Sequence, residues 1–297
     1  MTEDAPQANP IKSGASMIGC AALVAMTTLL AKALGKGAID GSALHPLEIS
    51  AGRFVFAWLT LLPIVLWRRP NLKAVAWRLH VARSVCGWSG VSCMFAAATV
   101  LPLADATAIS FLSPLITMML AIPLLGERVG PWRWGAAVVA MAGAFLLIRP
   151  GAASFQAMAL VALGSAFFMG LESIFVKKLT GTDRPLRILF INNSIGAVLA
   201  VTAAAFVWVS PSPEQWQALA AIGMIMVTAQ SLFIQALRHG DASFALPFFY
   251  ATLVFAAVYD FAVFSVLPSA LSAAGAVLVV GGALLLAWRE SRLKSLG

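Results

Sequence analysis

The sequence predicts an all-α membrane protein in which ten transmembrane helices form two inverted five-helix repeats. Hydrophobic residues make up 61% of the chain and charged residues only 11%, whereas soluble domains are about one-quarter charged. Apolar stretches follow one another from Ile11 to Trp288. Each is close to the ~20 residues that a helix needs to cross a bilayer core. A junction sequence in the first half of the chain also recurs in the second half.

The recurring junction begins an apolar stretch in each half. Leu101-Pro-Leu-Ala-Asp105-Ala-Thr opens one stretch, and Leu237-Arg-His-Gly-Asp241-Ala-Ser opens another. A repeat with an odd number of helices forces the following copy to enter the membrane in the opposite orientation. Inverted repeats of this kind are typical of secondary transporters, whose substrate sites lie near the midplane where the repeats meet.

Turn residues and charges divide the chain into its predicted spans. We place the spans at residues 13–34, 46–67, 80–100, 103–125, 131–149, 155–177, 186–209, 214–237, 241–264 and 268–288. Asp105 and Asp241 lie at the beginnings of spans 4 and 9, and we interpret both as N-caps. The domain organisation that follows is a tail at 1–12, repeats at 13–150 and 151–288, and a second tail at 289–297.

The distribution of positive charge predicts the orientation. With the N-terminus in the cytoplasm, sixteen of the twenty Lys and Arg residues, Arg83 among them, fall on the cytoplasmic side. Three fall on the opposite side (Lys32, Lys36 and Arg149), and Arg53 alone lies within a span and away from its ends. Such a bias is how membrane proteins are oriented. We therefore expect a multi-pass protein of the plasma membrane (a bacterial inner membrane), with both termini in the cytoplasm.

Several classes of function leave no signature in the sequence. The net charge of +8 does not indicate nucleic-acid binding, because the basic residues lie between apolar spans. The three cysteines fall inside spans and show neither disulfide nor metal-site spacing. The sequence contains no His-Glu-x-x-His motif, Gly-x-Ser-x-Gly elbow or Walker loop. We expect no enzymatic activity, no cofactor, no metal and no direct use of ATP.

Arg53 is the leading candidate for a substrate-binding residue. A charge inside a span costs roughly 2.5–3.5 kcal/mol on insertion scales, so it needs a partner or a water-filled cavity. The five donors of its guanidinium suit a carboxylate or a phosphate. The structural alternative is an ion pair with Glu48 on the same helix, although the five-residue separation is not the favoured spacing.

Glu172 lies inside span 6 and is the second charged candidate. Its carboxylate could take up a coupling proton or pair with the amine of a substrate. A structural ion pair with Arg187 or Lys177 explains it equally well.

A cluster of amides, Asn192, Asn193 and Gln230, lies one to two turns inside the ends of spans 7 and 8. Amides bind polar ligands, but they also hold transmembrane helices together. Adjacent side chains point ~100° apart on a helix, so at most one of the two asparagines should face a cavity squarely. The repeat aligns Asn192 with Arg53, and this favours a binding role for Asn192 and Gln230.

Spans 4 and 9 each contain an internal proline, Pro114 and Pro247. Paired interruptions at corresponding places in two repeats indicate a transporter's binding site. We therefore add the neighbouring side chains Ser110, Ser113, Phe248 and Tyr250 to the candidates, together with Trp88 of span 3 as a possible aromatic wall. For Trp88, core packing explains its position as well as substrate contact does.

These motifs resemble a known family. The run Leu101-Pro-Leu-Ala-Asp-Ala-Thr-Ala-Ile-Ser-Phe-Leu-Ser-Pro, the segment Leu125-Gly-Glu-Arg-Val, and Pro46-Leu-Glu-Ile-Ser-Ala-Gly-Arg53-Phe look like the EamA-type repeat of the drug/metabolite transporter superfamily. The resemblance covers the whole chain in two copies. It implies ten helices in two inverted repeats around a central substrate cavity. The second copy departs from the pattern, because Phe264-Ser-Val266 stands where the first copy has Gly126-Glu127.

The resemblance and the spans together predict a secondary transporter for a small polar metabolite. Family members move amino acids, S-adenosylmethionine, riboflavin, organic anions and other metabolites, and efflux of an amino acid or related compound is the leading hypothesis. Its partners would be the substrate, the lipid bilayer and, if transport is coupled through Glu172, protons; the protein would be a monomer or a dimer. An intramembrane lipid-modifying enzyme and a non-transporting membrane subunit are the alternatives of other classes.

Overall fold

The computed structural model describes residues 9–35, 37–70, 75–100, 112–148 and 157–264, together with residues 109, 274, 277, 278, 281 and 282. Within these residues the regular structure is helical and contains no strand. The helices are α1 (Pro10–Gly35), α2 (Pro46–Arg68), α3 (Trp77–Val100), α4 (Ser113–Leu125), α5 (Pro131–Ile148), α6 (Ala157–Thr180), α7 (Pro185–Ala204), α8 (Pro213–His239), α9 (Ala242–Ala245), a 3-10 helix (Leu246–Tyr250) and α10 (Ala251–Phe264).

Several of the described helices have the length and composition of membrane spans. Six stretches are long and apolar enough to cross a bilayer: Pro10–Gly35, Pro46–Arg68, Leu160–Thr180, Pro185–Ala204, Pro213–His239 and Ala242–Val263. Large apolar side chains such as Trp67, Leu160 and Val198 are more than 60% exposed on the outer surface. A surface of this kind suits lipid rather than water, and the structure confirms an all-helical membrane protein.

Prolines and caps fix where several helices begin. Pro46 and Pro213 occupy the first turns of α2 and α8, where a missing backbone N–H costs nothing. Each of these helices also has a capping box, formed by His45 with Glu48 and by Ser212 with Gln215. Most of these boundaries agree with the predicted spans within a few residues.

Two sequence predictions change in the structure. Arg83, counted among the cytoplasmic cations although it falls near the start of predicted span 3, is 2% exposed. The helix begins at Trp77 rather than at residue 80, and this places Arg83 further inside α3. The described helix of span 4 begins only at Ser113, so Pro114 occupies its first turn rather than its interior. Asp105 and Ser110, both named in the predictions for span 4, lie outside the described residues.

The most extensive helix contacts join the two halves of the chain. Among the described helices, α1 packs on α8, α3 on α6, and α2 on both α7 and α8. Small residues permit the closest approaches: a Cβ added to Gly223 of α8 would lie 2.8 Å from the backbone nitrogen of Ala57 in α2. The space between α1, α2, α3, α6, α7 and α8 is the location of the candidate site.

Candidate functional site

A cavity of about 160 Å³ lies between the two halves. Its walls come from α1, α2, α3, α4, α6, α7, α8 and the 3-10 helix, so most of the described helices contribute to it. The charged and amide side chains in the lining are Arg53, Arg83, Glu172, Asn192 and Gln230. A polar-lined space among apolar helices can hold a small polar molecule inside a membrane.

Arg53 reaches the cavity from the middle of α2. Its Cζ lies 4.3 Å from the centre of the Phe54 ring, and its Nε is buried without a hydrogen-bond partner among the described residues. Glu48, proposed as its structural partner, has another role: its carboxylate accepts hydrogen bonds from the backbone amides of His45 (2.8 Å) and Val209. The pairing alternative for Arg53 is therefore wrong in the form in which the sequence suggested it.

Arg83 is a cavity residue that the sequence reasoning missed. Its Nη1 donates to the carbonyl of Ile188 on α7 at 3.1 Å. Its Nε lies 3.7 Å from Oε1 of Glu172, an ion-pair distance that is too long for a hydrogen bond. Helical spacing in the sequence could have indicated this role. Ser84, Trp88 and Val91 recur on the same face of α3 as Arg83, and they also line the cavity.

Glu172 of α6 faces the cavity and is 26% exposed. Its partner is Arg83, and it also interacts electrostatically with Arg53. The two partners suggested by the sequence are engaged elsewhere: Arg187 binds Asp183 at 2.7 Å, and Lys177 donates to the carbonyl of Leu237 at 2.7 Å. The prediction of a structural ion pair with Arg187 or Lys177 is therefore wrong.

Gly87 leaves room for the Glu172 carboxylate. A Cβ built on Gly87 would lie 2.9 Å from Cδ of Glu172 and 3.0 Å from both carboxylate oxygens. A side chain at this position would therefore push the carboxylate away from its present place between α3 and α6. The absence of a side chain on α3 allows an acid on α6 to reach the cavity.

The adjacent asparagines of α7 separate into two roles. Asn192 lines the cavity, and its Oδ1 accepts a hydrogen bond from Ser84 Oγ at 3.2 Å. Asn193 donates instead to the carbonyl of Leu189 (2.8 Å) and to Oε1 of Gln230 (3.0 Å), which ties α7 to α8. Gln230 itself is part of the lining.

The helix interruptions also reach the cavity. Ser113 and Pro114 line it from α4, and Leu246 and Phe249 line it from the 3-10 helix. Phe248 and Tyr250, the predicted candidates, are 2% and 0% exposed and are not part of the lining. The 3-10 geometry explains the difference: with three residues per turn, Leu246 and Phe249 face the same side, and their neighbours point elsewhere.

A polar network outside the cavity holds α9 in place. Oε1 of Glu127 accepts from the backbone amide of Ala242 at 2.9 Å, and Oε2 accepts from the amide of Ser243 at 3.1 Å. Asp241, predicted as the N-cap, occupies that position but caps nothing with its side chain; its carboxylate binds Arg133 at 2.9 Å. The capping group therefore comes from the loop after α4, in the other half of the chain.

Comparison with known proteins identifies the family. The sequence model of the EamA-like transporter family matches residues 12–149 and matches again at residues 156–288. The chain belongs to the EamA-like transporter family. The resemblance read from the motifs is thereby confirmed, and this EamA-like protein is a multi-pass membrane transporter for a small metabolite.

Several relatives of this EamA-like transporter have names that state a cargo. An S-adenosylmethionine uptake transporter of Rickettsia bellii is 27% identical over 86% of this chain and 88% of its own length. A pseudopaline exporter, CntI, of Pseudomonas aeruginosa is 28% identical over 67% of this chain and 71% of its own. A riboflavin transporter of Rhizobium johnstonii is 29% identical over 81% of this chain and 80% of its own.

A solved crystal structure of a protein shows the same fold. It superposes with a TM-score of 0.75, covers 91% of this chain and 96% of its own, and is 23% identical in sequence. At that identity the match concerns the fold alone.

Proposed function

We propose that this chain is a secondary transporter that carries a small polar metabolite across the plasma membrane by alternating access. The observation that carries the proposal is the buried Nε of Arg53, which lies at a cavity between the two halves without a hydrogen-bond partner among the described residues. An unpaired cation inside a membrane is costly, so an acidic group on a ligand that pairs with it binds favourably. Asn192, Gln230, Ser113 and Trp88 would complete the binding surface.

The proposed architecture is ten helices in two inverted repeats, at residues 13–150 and 151–288. Its support is the symmetry of the helix contacts, when α9, the 3-10 helix and α10 are counted together as span 9. Corresponding helices of the two repeats differ by five in number, so that α1 corresponds to α6, α2 to α7 and α3 to α8. Exchanging each helix for its counterpart converts the α3–α6 contact into the α8–α1 contact, and the α2–α8 contact into the α7–α3 contact. The contact of α4 with α6 converts likewise into that of span 9 with α1. Such symmetry is expected of inverted repeats that rock about a central site.

The proposed orientation places both termini in the cytoplasm. When Arg83 is counted as part of α3, fifteen Lys and Arg residues remain on the cytoplasmic side and three lie on the opposite side. The bias therefore keeps its direction, and it supports the same topology.

The proposed substrate class is an amino acid or a related metabolite, with export as the proposed direction. The relatives named above include uptake and export proteins, and their named substrates, S-adenosylmethionine, pseudopaline and riboflavin, make these compounds the alternatives. Proton coupling would act through Glu172, and facilitated diffusion would need no such step. One chain supplies the whole described cavity, so a monomer suffices for transport.

An intramembrane enzyme is the less well-supported reading. Hydrolytic or transfer chemistry requires acids or a nucleophile–base pair that converge at one place. Among the described lining residues the cavity has one carboxylate, Glu172, beside two arginines. We therefore propose transport without chemical conversion of the substrate.

The test is thermal stabilisation of the purified protein by a panel of amino acids, S-adenosylmethionine, riboflavin, and di- and tricarboxylates. A ligand that binds the folded state alone raises the Tm in a concentration-dependent way. We expect a ligand that stabilises the native protein and does not stabilise Arg53→Gln. Arg68→Gln is the matched control, because Arg68 is an exposed arginine at the end of the same helix.

Transport of the stabilising ligand is then measured in proteoliposomes. Counterflow of that ligand in the native protein and in Arg68→Gln, with loss in Arg53→Gln, is the expected result. A ligand that binds and is chemically changed would favour the enzyme, and a folded protein that transports nothing on the panel would favour the non-transporting subunit.

A further inference from the structure

The charges around the cavity do not balance. Its described lining contains two cationic side chains, Arg53 and Arg83, and one carboxylate, Glu172. Arg83 is 2% exposed, and the Nε atoms of both arginines are buried without a hydrogen-bond partner among the described residues. One carboxylate can neutralise one guanidinium, so the described lining has a net charge of about +1.

Glu172 belongs more to Arg83 than to Arg53. Its Oε1 lies 3.7 Å from Arg83 Nε, whereas Arg53 interacts with it only from beyond the 4.0 Å distance of an ion pair. Arg83 also has a second fixed partner, the carbonyl of Ile188 at 3.1 Å. Arg83 therefore has one hydrogen bond and one ion pair, whereas Arg53 has neither among the described residues. The planar fork of the Arg53 guanidinium matches a carboxylate in two hydrogen bonds.

The remaining polar groups at the cavity are uncharged. Ser84 and Asn192 are hydrogen-bonded to each other at 3.2 Å, and Gln230 accepts from Asn193 at 3.0 Å. These groups can orient a ligand but cannot cancel a charge on it. A substrate with one net negative charge would neutralise the site, whereas a net cation would raise its charge to about +2.

We infer, on the basis of the proposed transport function, that the substrate is a small carboxylate with a net charge of −1 that binds Arg53, whose charge is left uncompensated because Glu172 pairs with Arg83. Acidic amino acids satisfy both conditions. Neutral amino acids leave the residual charge of the site uncompensated. The proposal thus ranks substrates by net charge and not by size.

Glutamate, glutamine and lysine form a matched probe set. All three are α-amino acids of similar length, and their net charges near neutral pH are about −1, 0 and +1. We expect the dissociation constant to rise in that order for the native protein, with a difference of about tenfold or more between glutamate and lysine. Binding is read from the shift in Tm with ligand concentration.

Two substitutions move the charge of the site in opposite directions. Arg83→Gln lowers the net charge to about zero, so the preference should pass from glutamate to glutamine. Glu172→Gln raises it to about +2, so a dicarboxylate without an amine, such as glutarate, should bind better than glutamate. The double variant Arg83→Gln/Glu172→Gln returns the charge to about +1 with Arg53 intact, and we expect it to restore the preference for glutamate.

The double variant also keeps the test informative if a single variant fails to fold, because it leaves no unpaired charge from the pair. Overturning results are a best ligand on the full panel that is neutral or cationic, a charge ranking that folded single variants do not alter, or a double variant that does not prefer glutamate. Each of these results would leave the proposed transport function standing. Absence of binding and of transport for every panel compound would overturn the proposed function itself.

Discussion

Glu127 accepts two hydrogen bonds from Ser243, one from the backbone amide at 3.1 Å and one from the hydroxyl at 2.7 Å. With the bond from the amide of Ala242, the carboxylate satisfies open N–H groups at the start of α9. The cap crosses from the first half of the chain to the second. It fixes the first turn before the 3-10 helix that brings Phe249 to the cavity.

Loss of this cap should destabilise the protein. We expect Glu127→Ala to lower the free energy of unfolding by about 1–2 kcal/mol, because amides at the start of α9 lose a charged acceptor. Thermal unfolding in detergent measures the effect. Glu214→Ala, at an exposed acid in the first turn of α8, is the control and should change the Tm less. Equal shifts in the two variants would contradict a capping role for Glu127.

A methyl group at Gly87 should disturb ligand binding through Glu172. The added Cβ would lie 2.9 Å from the carboxyl carbon, so the carboxylate must move from its present position near Arg83. We expect Gly87→Ala to weaken binding of the panel ligand about tenfold or more. Gly164→Ala on α6 is the control, since its Cβ would meet nothing within 4 Å and its alanine favours the helix. Unchanged affinity in a folded Gly87→Ala protein would contradict the prediction.

Asn192 and Asn193 should separate binding from stability. Asn192→Ala removes a cavity amide, so we expect weaker ligand binding with a small change in Tm. Asn193→Ala leaves buried groups of α7 and α8 without their partner, so we expect a loss of about 1–3 kcal/mol in stability. Ligand titrations and unliganded Tm values on both variants measure the two effects. The reverse pattern would show that the roles have been exchanged.

Phe248 and Phe249 provide a similar adjacent pair. Phe248 is 2% exposed and packs on Phe244 with ring centres 5.3 Å apart, so Phe248→Ala should cost about 3–5 kcal/mol of stability. Phe249 lines the cavity, and Phe249→Ala should mainly reduce ligand affinity. Both are read from the Tm with and without ligand. A larger loss of affinity in Phe248→Ala than in Phe249→Ala would contradict the assigned faces.

The proposed topology can be checked in intact cells. Cysteines introduced at Thr2 and Leu296, in a background in which Cys20, Cys86 and Cys93 are serines, should react with a membrane-impermeant maleimide only after the cells are opened. A cysteine at Lys36 should react without that treatment, because the loop between α1 and α2 lies on the opposite side in this topology. Labelling of either terminal cysteine in intact cells would contradict the proposed topology.

The features that the sequence predicted correctly are those that depend on residues close together in the chain. Arg53 stands out because a charge is rare in an apolar span, and the beginnings of α2 and α8 are marked by prolines and caps close by in the chain. The partner of Glu172 was not predictable, because Arg83 lies far from it in the sequence and was interpreted as a cytoplasmic cation. Phe249 was missed for a different reason: its direction depends on a change from α to 3-10 geometry, which shifts the phase of every side chain after Leu246.

The extensive packing between the two halves has a consequence for biosynthesis. Arg53 and Arg83 are translated before Glu172, and α1, α2 and α3 emerge before α6, α7 and α8, on which they pack. The growing chain therefore brings two cations that are buried in the final structure to the bilayer before their carboxylate has been synthesised. A translocon or lipid headgroups must shelter the early helices until the later ones arrive, so the folding of the first half is completed only after the second has been made.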